Sequence, residues 1–339
     1  MTSEKLVQNI KKLTGEDKLY FYDGLGREIQ TVQTLPTVGT LRTSRLFDLR
    51  GNNLKREDIS NDNVLLSEYA YDSRNRLLTE RSTLNGDVTS GVDHTYDDLG
   101  RLNDDHYLTG EQDANFSTTY SYTLQGWLSS KNTDSNYGAQ EWEQLHYGDS
   151  MPFSAATPSW TGKISTWCTD ESEETGMIFS YDGLGRMTSG KELLLGDSAN
   201  WEENVEYDLN GNIRSLSRML DDAEVYAKEF SYTGNHRQNC DYDRNGNVIY
   251  DDYRPDNDDS EIDIPDTRYN ILNLPAVSYV GEYPVVFGYL ADGTKVYVER
   301  SEDAYDKLRY AGPFRYYEND SESVLESVSA SGGRIAKIG

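Results

Sequence analysis

Aromatic and apolar residues along this chain recur in pairs two positions apart. Tyr20/Tyr22, Tyr69/Tyr71, Tyr120/Tyr122, Phe179/Tyr181, Val205/Tyr207, Phe230/Tyr232 and Phe287/Tyr289 are such pairs. In an extended chain this spacing puts both side chains on one face. Each pair runs into a short polar stretch rich in Asp, Gly and Asn, and then a second run begins, as in Glu28 to Val32 and Val248 to Tyr250. The pattern predicts strand, turn, strand, over and over: an all-β chain of tandem hairpins. Residues 3–13 read differently. Leu6, Val7, Ile10 and Leu13 predict a short helix with Ser3 as its N-cap, within an N-terminal leader of residues 1–18 that precedes a repeat region over 19–339.

The turns themselves repeat. Seven segments share an aromatic residue, Asp, two variable positions, Gly or Asn, then Arg or Asn. The first four are Tyr22-Asp23-Gly24-Leu25-Gly26-Arg27, Phe47-Asp48-Leu49-Arg50-Gly51-Asn52, Tyr71-Asp72-Ser73-Arg74-Asn75-Arg76 and Tyr96-Asp97-Asp98-Leu99-Gly100-Arg101. The others are Tyr181-Asp182-Gly183-Leu184-Gly185-Arg186, Tyr207-Asp208-Leu209-Asn210-Gly211-Asn212 and Tyr242-Asp243-Arg244-Asn245-Gly246-Asn247. Weaker copies start at Tyr122, Tyr232, Tyr269 and Tyr289. The first five starts, 22, 47, 71, 96 and 122, are spaced by 25, 24, 25 and 26 residues, too regular for chance. The chemistry suits a turn. An Asp carboxylate accepts from nearby backbone N–H groups, and Gly supplies positive φ. Asn210-Gly211 and Asn245-Gly246 predict tight hairpins. Asp of one hairpin is expected to pair with Arg of the next, as a ladder. The period lapses over about 132–161, which predicts an irregular insertion, with a strand resuming over Lys163 to Trp167. An acidic loop with two prolines is expected over about 251–266.

Composition sharpens this picture. Only 36% of the 339 residues are hydrophobic, yet 26 are Tyr, which suits a thin, half-wet sheet better than a thick core or a disordered chain. A formal charge of -27 argues against nucleic acid and anionic membranes as partners. No run is long and apolar enough for membrane insertion, and the first residues lack a signal-peptide core. Two cysteines, Cys168 and Cys240, are too few to staple the chain, and sequence leaves open whether they pair.

Candidate chemistry is sparse. Asp208, Asn210 and Asn212, and likewise Asp243, Asn245 and Asn247, have the opening of a calcium loop. That loop needs Gly sixth and Glu twelfth; here those places hold Ile213 and Met219, or Val248 and Arg254. Gly24/Gly26 and Gly183/Gly185 lack the third glycine of a dinucleotide fingerprint. His94, His106, His146 and His236 share no ligand spacing. No metal, cofactor or catalytic residue is expected. The aromatic excess raises one further prospect, stacking on a sugar. Trp142 and Trp160, which lie outside the repeat, are its candidates; the repeat Tyr residues are better read as a ladder that stiffens a sheet.

These residues resemble the YD repeat of Rhs proteins, which also occurs in Tc-toxin cocoon proteins and teneurins. The likeness runs from Leu19 to Ile335 and is greatest to Rhs proteins of Bacteroidetes. It includes the first repeat with Ile29 to Val32, a mid-chain association of Gln125 to Leu128 with Thr161 to Ser165, and the tail from Tyr310 to Phe314 and on to Ile335. The resemblance implies hairpins paired side by side in a curved or spiralling sheet, a partial shell. In that family the shell surrounds a C-terminal domain, often a toxin. The family's Asp-His-Leu-Gly core motif and self-cleaving Asp-Pro pair have no counterpart here. The chain is therefore expected to be a truncated product or a fragment lacking core and toxin. The function expected is a non-catalytic shell segment that encloses or presents a toxin or effector polypeptide. Its partners would be further Rhs repeats, that polypeptide, or a second copy of itself. The intact protein is expected to be secreted or at the cell surface. The alternative is a surface module binding carbohydrate or protein through exposed Tyr and Trp.

Overall fold

The two-residue alternation is realised as strand throughout. In this computed structural model the described residues are 6–11, 17–36, 38–110, 116–135, 140–148, 152–153, 155–169, 175–193, 199–221, 223–251, 267–280, 283–300, 307–318 and 323–336. Among them every regular element is a strand and every assigned pairing is antiparallel. The acidic loop expected near 251–266 lies almost wholly outside the described residues. The chain divides into two compact units: Met1–His94 with Tyr107–Ala114 and Cys240–Gly339, and Thr95–His106 with Asn115–Asn239.

In the first unit a meander runs from Leu6–Lys11 through Asp17–Tyr22, Glu28–Leu35, Gly39–Phe47, Asn53–Ser60, Asn63–Tyr71 and Leu77–Leu84 to the strand that starts at Val88. Each pairs with the next. Leu6–Lys11 corrects the expected helix. Its backbone pairs with Asp17–Tyr22, Leu6 opposite Tyr22. A helix this short is marginal in water on its own, whereas a strand finds partners for its backbone groups along a ready sheet edge.

The same unit holds an eight-stranded sheet built from Arg268–Tyr269 to Gly333–Ala336. This sheet packs on the meander. Leu35, Leu65 and Leu84 of the meander share one core with Phe314, Tyr316, Leu325 and Val328. Phe314 is 1% exposed; burying a side chain of this size contributes about 1.5–3 kcal/mol. Polar contacts fix the docking. Tyr316 Oη donates to the Ser60 carbonyl at 2.9 Å, the Ser331 backbone N–H donates to Ser82 Oγ at 3.0 Å, and Ser90 Oγ donates to the Ser331 carbonyl at 3.0 Å. The sheet is thus less wet than composition suggested, because the tail of the chain folds back onto its beginning.

The second unit continues the hairpin pattern from Phe116–Tyr122 to Ala223–Glu229, strand pairing with the next strand throughout. The insertion expected over 132–161 is partly regular. Leu128–Ser135 and Gln140–His146 form another hairpin, with Asn132 opposite Trp142. The strand expected over Lys163 to Trp167 begins only at Thr166 and ends at Cys168. Before it, the Ser165 backbone N–H already donates to the His146 carbonyl at 2.8 Å.

One irregularity recurs beside many of the repeat aromatics. Tyr22 faces Glu28, but Phe21 faces Gln30, so Ile29 is an extra residue on the outgoing strand. The same bulge places Leu54 after Phe47, Leu78 after Tyr71, Thr188 after Tyr181 and Arg214 after Tyr207. Bulges of this kind bend the strand and increase its twist.

Candidate functional site

The repeat turn is a closed hydrogen-bonded knot. In the first copy the Asp23 N–H donates to the Arg27 carbonyl at 2.9 Å and the Gly26 N–H to the Asp23 carbonyl at 3.0 Å. Gly26 has φ +78°. This is a three-residue loop, a turn closed by a left-handed residue. The tight hairpins expected at Asn210-Gly211 and Asn245-Gly246 take the same form. There too the left-handed residue is the glycine, Gly211 at φ +91° and Gly246 at φ +85°. Asn75, at φ +64°, stands in for glycine in its copy. The weak copy at Tyr232 departs from the pattern: Thr233 pairs with His236 across two residues.

Asp23 organises the knot. Its Oδ1 accepts from the Leu25 and Arg27 N–H groups, each at 2.9 Å, and its Oδ2 from Arg27 Nε at 2.6 Å. The Arg27 backbone N–H above all, then the guanidinium and the Leu25 N–H, hold this carboxyl below its ordinary value against an opposing effect of burial. Asp72 and Asp182 are lowered in the same way by Arg76 and Arg186. In Asp208 and Asp243 the side-chain amides of Asn212 and Asn247 contribute most. A carboxylate so occupied has little capacity left to take a proton or bind calcium. In the Asp208 copy both oxygens are taken up within the turn, by the Asn210 and Asn212 N–H groups and by Asn212 Nδ2.

Several turns also hold the next, by a route different from the expected ladder. Arg pairs with Asp of its own turn, and it reaches across through Nη1 to backbone. Arg27 Nη1 donates to the Asp48 carbonyl at 2.6 Å, and Arg186 Nη1 to the Asp208 carbonyl at 3.0 Å. The guanidinium lies over the next aromatic ring. Arg101 is 4.6 Å from the Tyr122 centroid and Arg186 is 4.5 Å from that of Tyr207. The next Tyr answers with its hydroxyl. Tyr122 Oη donates to the Leu102 carbonyl and Tyr207 Oη to the Met187 carbonyl, both at 2.8 Å. Where Asn replaces Arg, amides take over: Asn212 Nδ2 meets Asn235 Oδ1, and Asn247 Nδ2 meets Asn273 Oδ1. The tips of these turns carry exposed leucines, among them Leu25, Leu49, Leu124 and Leu184.

A second arrangement belongs to the non-repeat loop of the second unit. Trp160 is 65% exposed. The Ser159 N–H, donating to the Tyr147 carbonyl at 2.8 Å, anchors the loop beside it. Trp160 stands between two clefts. One, of 600 Å³, is lined by Pro158, Lys163, Phe179 and Tyr181 among others. The other, of 300 Å³, includes Gln125, Trp127, Tyr147 and Gly148. Trp127 and Tyr147 pack with ring centroids 5.0 Å apart. A Cβ on Gly148 would lie 2.5 Å from Trp160 Cε3, so the absent side chain makes room for the indole. A Cβ on Gly162 would lie 3.0 Å from Trp127 Cε2, which brings together the two mid-chain segments associated at the outset.

No family model and no curated protein matches this chain. Solved structures do. The crystal structure of TcdB2-TccC3 matches it with a TM-score of 0.67 at 12% identity, over 95% of this chain and 18% of that one. TcdB2-TccC3 without its hypervariable C-terminal region matches with a TM-score of 0.60 at 12% identity, over 95% and 17%. The fold is Rhs-like. This chain spans less than a fifth of the length of these two structures, the larger share being 18%.

In this Rhs-like frame the sequence-selected turn residues meet repeat by repeat and fasten hairpin to hairpin. The two tryptophans singled out as stacking candidates part company. Trp160 forms the ridge between the clefts, while Trp142 lines neither. The partners of Trp160 were missed. Tyr147 and Gly148 carry no repeat signature, and only the fold sets them against a loop more than ten residues on.

Proposed function

We propose that this chain is a structural segment of an Rhs-type shell, without catalytic activity, that encloses or presents an associated toxin or effector polypeptide. The observation that carries the reading is the interlock between consecutive turns. Its carboxylates are engaged within their own turns and its guanidinium groups and tyrosine hydroxyls on neighbouring ones, which is what a wall needs and what an active site avoids. The similarity to TcdB2-TccC3 supports the same reading at the level of fold. Further Rhs-type repeats or a second copy of the chain are its proposed neighbours in the wall, and a secreted or cell-surface protein is its proposed setting.

The test is cross-linking in the native cell, followed by purification of this chain and identification of what is attached. A polypeptide joined to residues of the hairpin sheets is the expected result. Recovery of the chain alone, as a monomer by light scattering, would remove both the enclosed partner and the shared wall.

A further inference from the structure

We infer that the paired clefts around Trp160 form a binding site for a neutral, linear oligosaccharide, an activity separate from the wall. Three observations converge on this ligand class. First, Trp160 is unlike the repeat tyrosines. Tyr71, Tyr122, Tyr181 and Tyr207 of the repeat are half-buried with their hydroxyls bonded to backbone, as Tyr181 Oη is to the Ile164 carbonyl at 2.8 Å. Trp160 comes from a loop outside the repeat and is left 65% exposed. Second, its surroundings are those of a ligand site, apolar with a few polar groups. Rings of Phe179 and Tyr181 line one side and Trp127 and Tyr147 the other. Hydroxyls stand at the rim, where Ser159 Oγ and Thr161 Oγ1 lie 3.1 Å apart. The two volumes, 600 and 300 Å³, fall in the range of small-ligand sites.

Third, the charges within the clefts cancel. Lys163 and Asp182 both line the larger cleft. Asp182 is held by Arg186 Nε at 2.6 Å, and the Lys163 ammonium lies 5.5 Å from the Tyr181 centroid. Neither is placed to fix an ionic ligand, and a chain of net charge -27 disfavours acidic glycans. A pyranose fits what remains. Its C–H face stacks on an indole, its hydroxyl edge meets the rim, and a linear chain of such rings can cross the ridge with one residue in each cleft.

The experiment titrates the full chain with cellohexaose, xylohexaose and maltohexaose, following tryptophan fluorescence and heat. Polygalacturonate serves as the acidic comparison and a Trp- and Pro-containing peptide as the protein-like one. At least one neutral hexaose is expected to bind. Trp160→Ala should weaken it by about tenfold or more. Gly148→Val, which forces the indole to move while keeping it, should weaken it similarly. Trp142→Ala should leave it within about twofold. Circular dichroism of each variant should match the parent, since Trp160 is exposed and supports no core. Binding of no hexaose, binding undiminished by Trp160→Ala, or preference for the polygalacturonate or the peptide would overturn the inference.

Discussion

Arg186 Nη1 lies 3.0 Å from the main-chain oxygen of Asp208, one repeat further along the chain. The same guanidinium bonds Asp182 in its own turn through Nε and stacks on Tyr207. One side chain thus closes its hairpin and fastens the next. Arg186→Lys keeps the charge and loses the planar fork and the stacking. Loss of the stacking alone should cost about 0.5–1 kcal/mol, read as a lower midpoint in urea unfolding. A variant as stable as the parent would show that the contact between turns contributes nothing.

The returning hydroxyl can be tested separately. Tyr207→Phe removes the bond to the Met187 carbonyl and keeps the ring under Arg186. About 1 kcal/mol of destabilisation is expected. The double variant with Arg186→Lys should fall short of the sum, because both residues belong to one contact.

Turn glycines should sort by what replaces them. Gly26→Asn should be close to neutral, because nothing lies within 4 Å of the added Cβ and Asn75 already occupies the equivalent place at φ +64°. Gly26→Val should cost about 1–2 kcal/mol, since β-branched residues resist this conformation. Gly185→Val should cost about as much as Gly26→Val, since the Lys163 Cε that its Cβ would meet at 2.2 Å is the far end of a flexible side chain that can swing aside. Thermal unfolding of the three variants ranks them.

Acid should loosen the turns. Asp23, Asp72 and Asp182 titrate below their ordinary value in the fold. A group lowered by folding binds its proton more readily when unfolded, so its stabilisation is complete above the unfolded pKa, about 3.9. It is lost as pH falls below that value and through the folded one. The difference in unfolding midpoint between the parent and Asp182→Asn should therefore shrink between about pH 5 and pH 2. A difference constant across that range would show that the carboxylate charge has no part in holding the turn.

Core packing gives the largest expected effect. Phe314→Ala should cost about 3–5 kcal/mol, and amide exchange should quicken in Asn53–Ser60 as well as in its own sheet. Exchange confined to the strand of Phe314 would mean that the two sheets are stable independently.

Strand, turn and repeat were legible because each rests on local chemistry: alternation at two residues, Asp as a backbone acceptor, Gly at positive φ. The direction of the Arg contact was not. Sequence places Asp and Arg four residues apart in the copies starting at Tyr22, Tyr71, Tyr96 and Tyr181 but cannot say whether a five-donor side chain will choose its own carboxylate, the next carbonyl or both. The docking of Phe314 and Tyr316 on Ser60 and Leu65 depends on a separation of about 250 residues, which no local pattern records. The strand at Leu6–Lys11 was misread because its few apolar residues suit either period, and only the neighbouring Asp17–Tyr22 decides.

The bulge that recurs beside repeat aromatics has a consequence for how such a chain can change its length. Ile29, Leu54 and Thr188 each shift the alternation of the outgoing strand by one. Removing one of them would turn over every side chain that follows in that strand, inward for outward. Removing or adding a whole repeat would leave the parity of all the others untouched. The sheet therefore lengthens by whole words and not by letters, and each bulge marks the reading frame of its own hairpin.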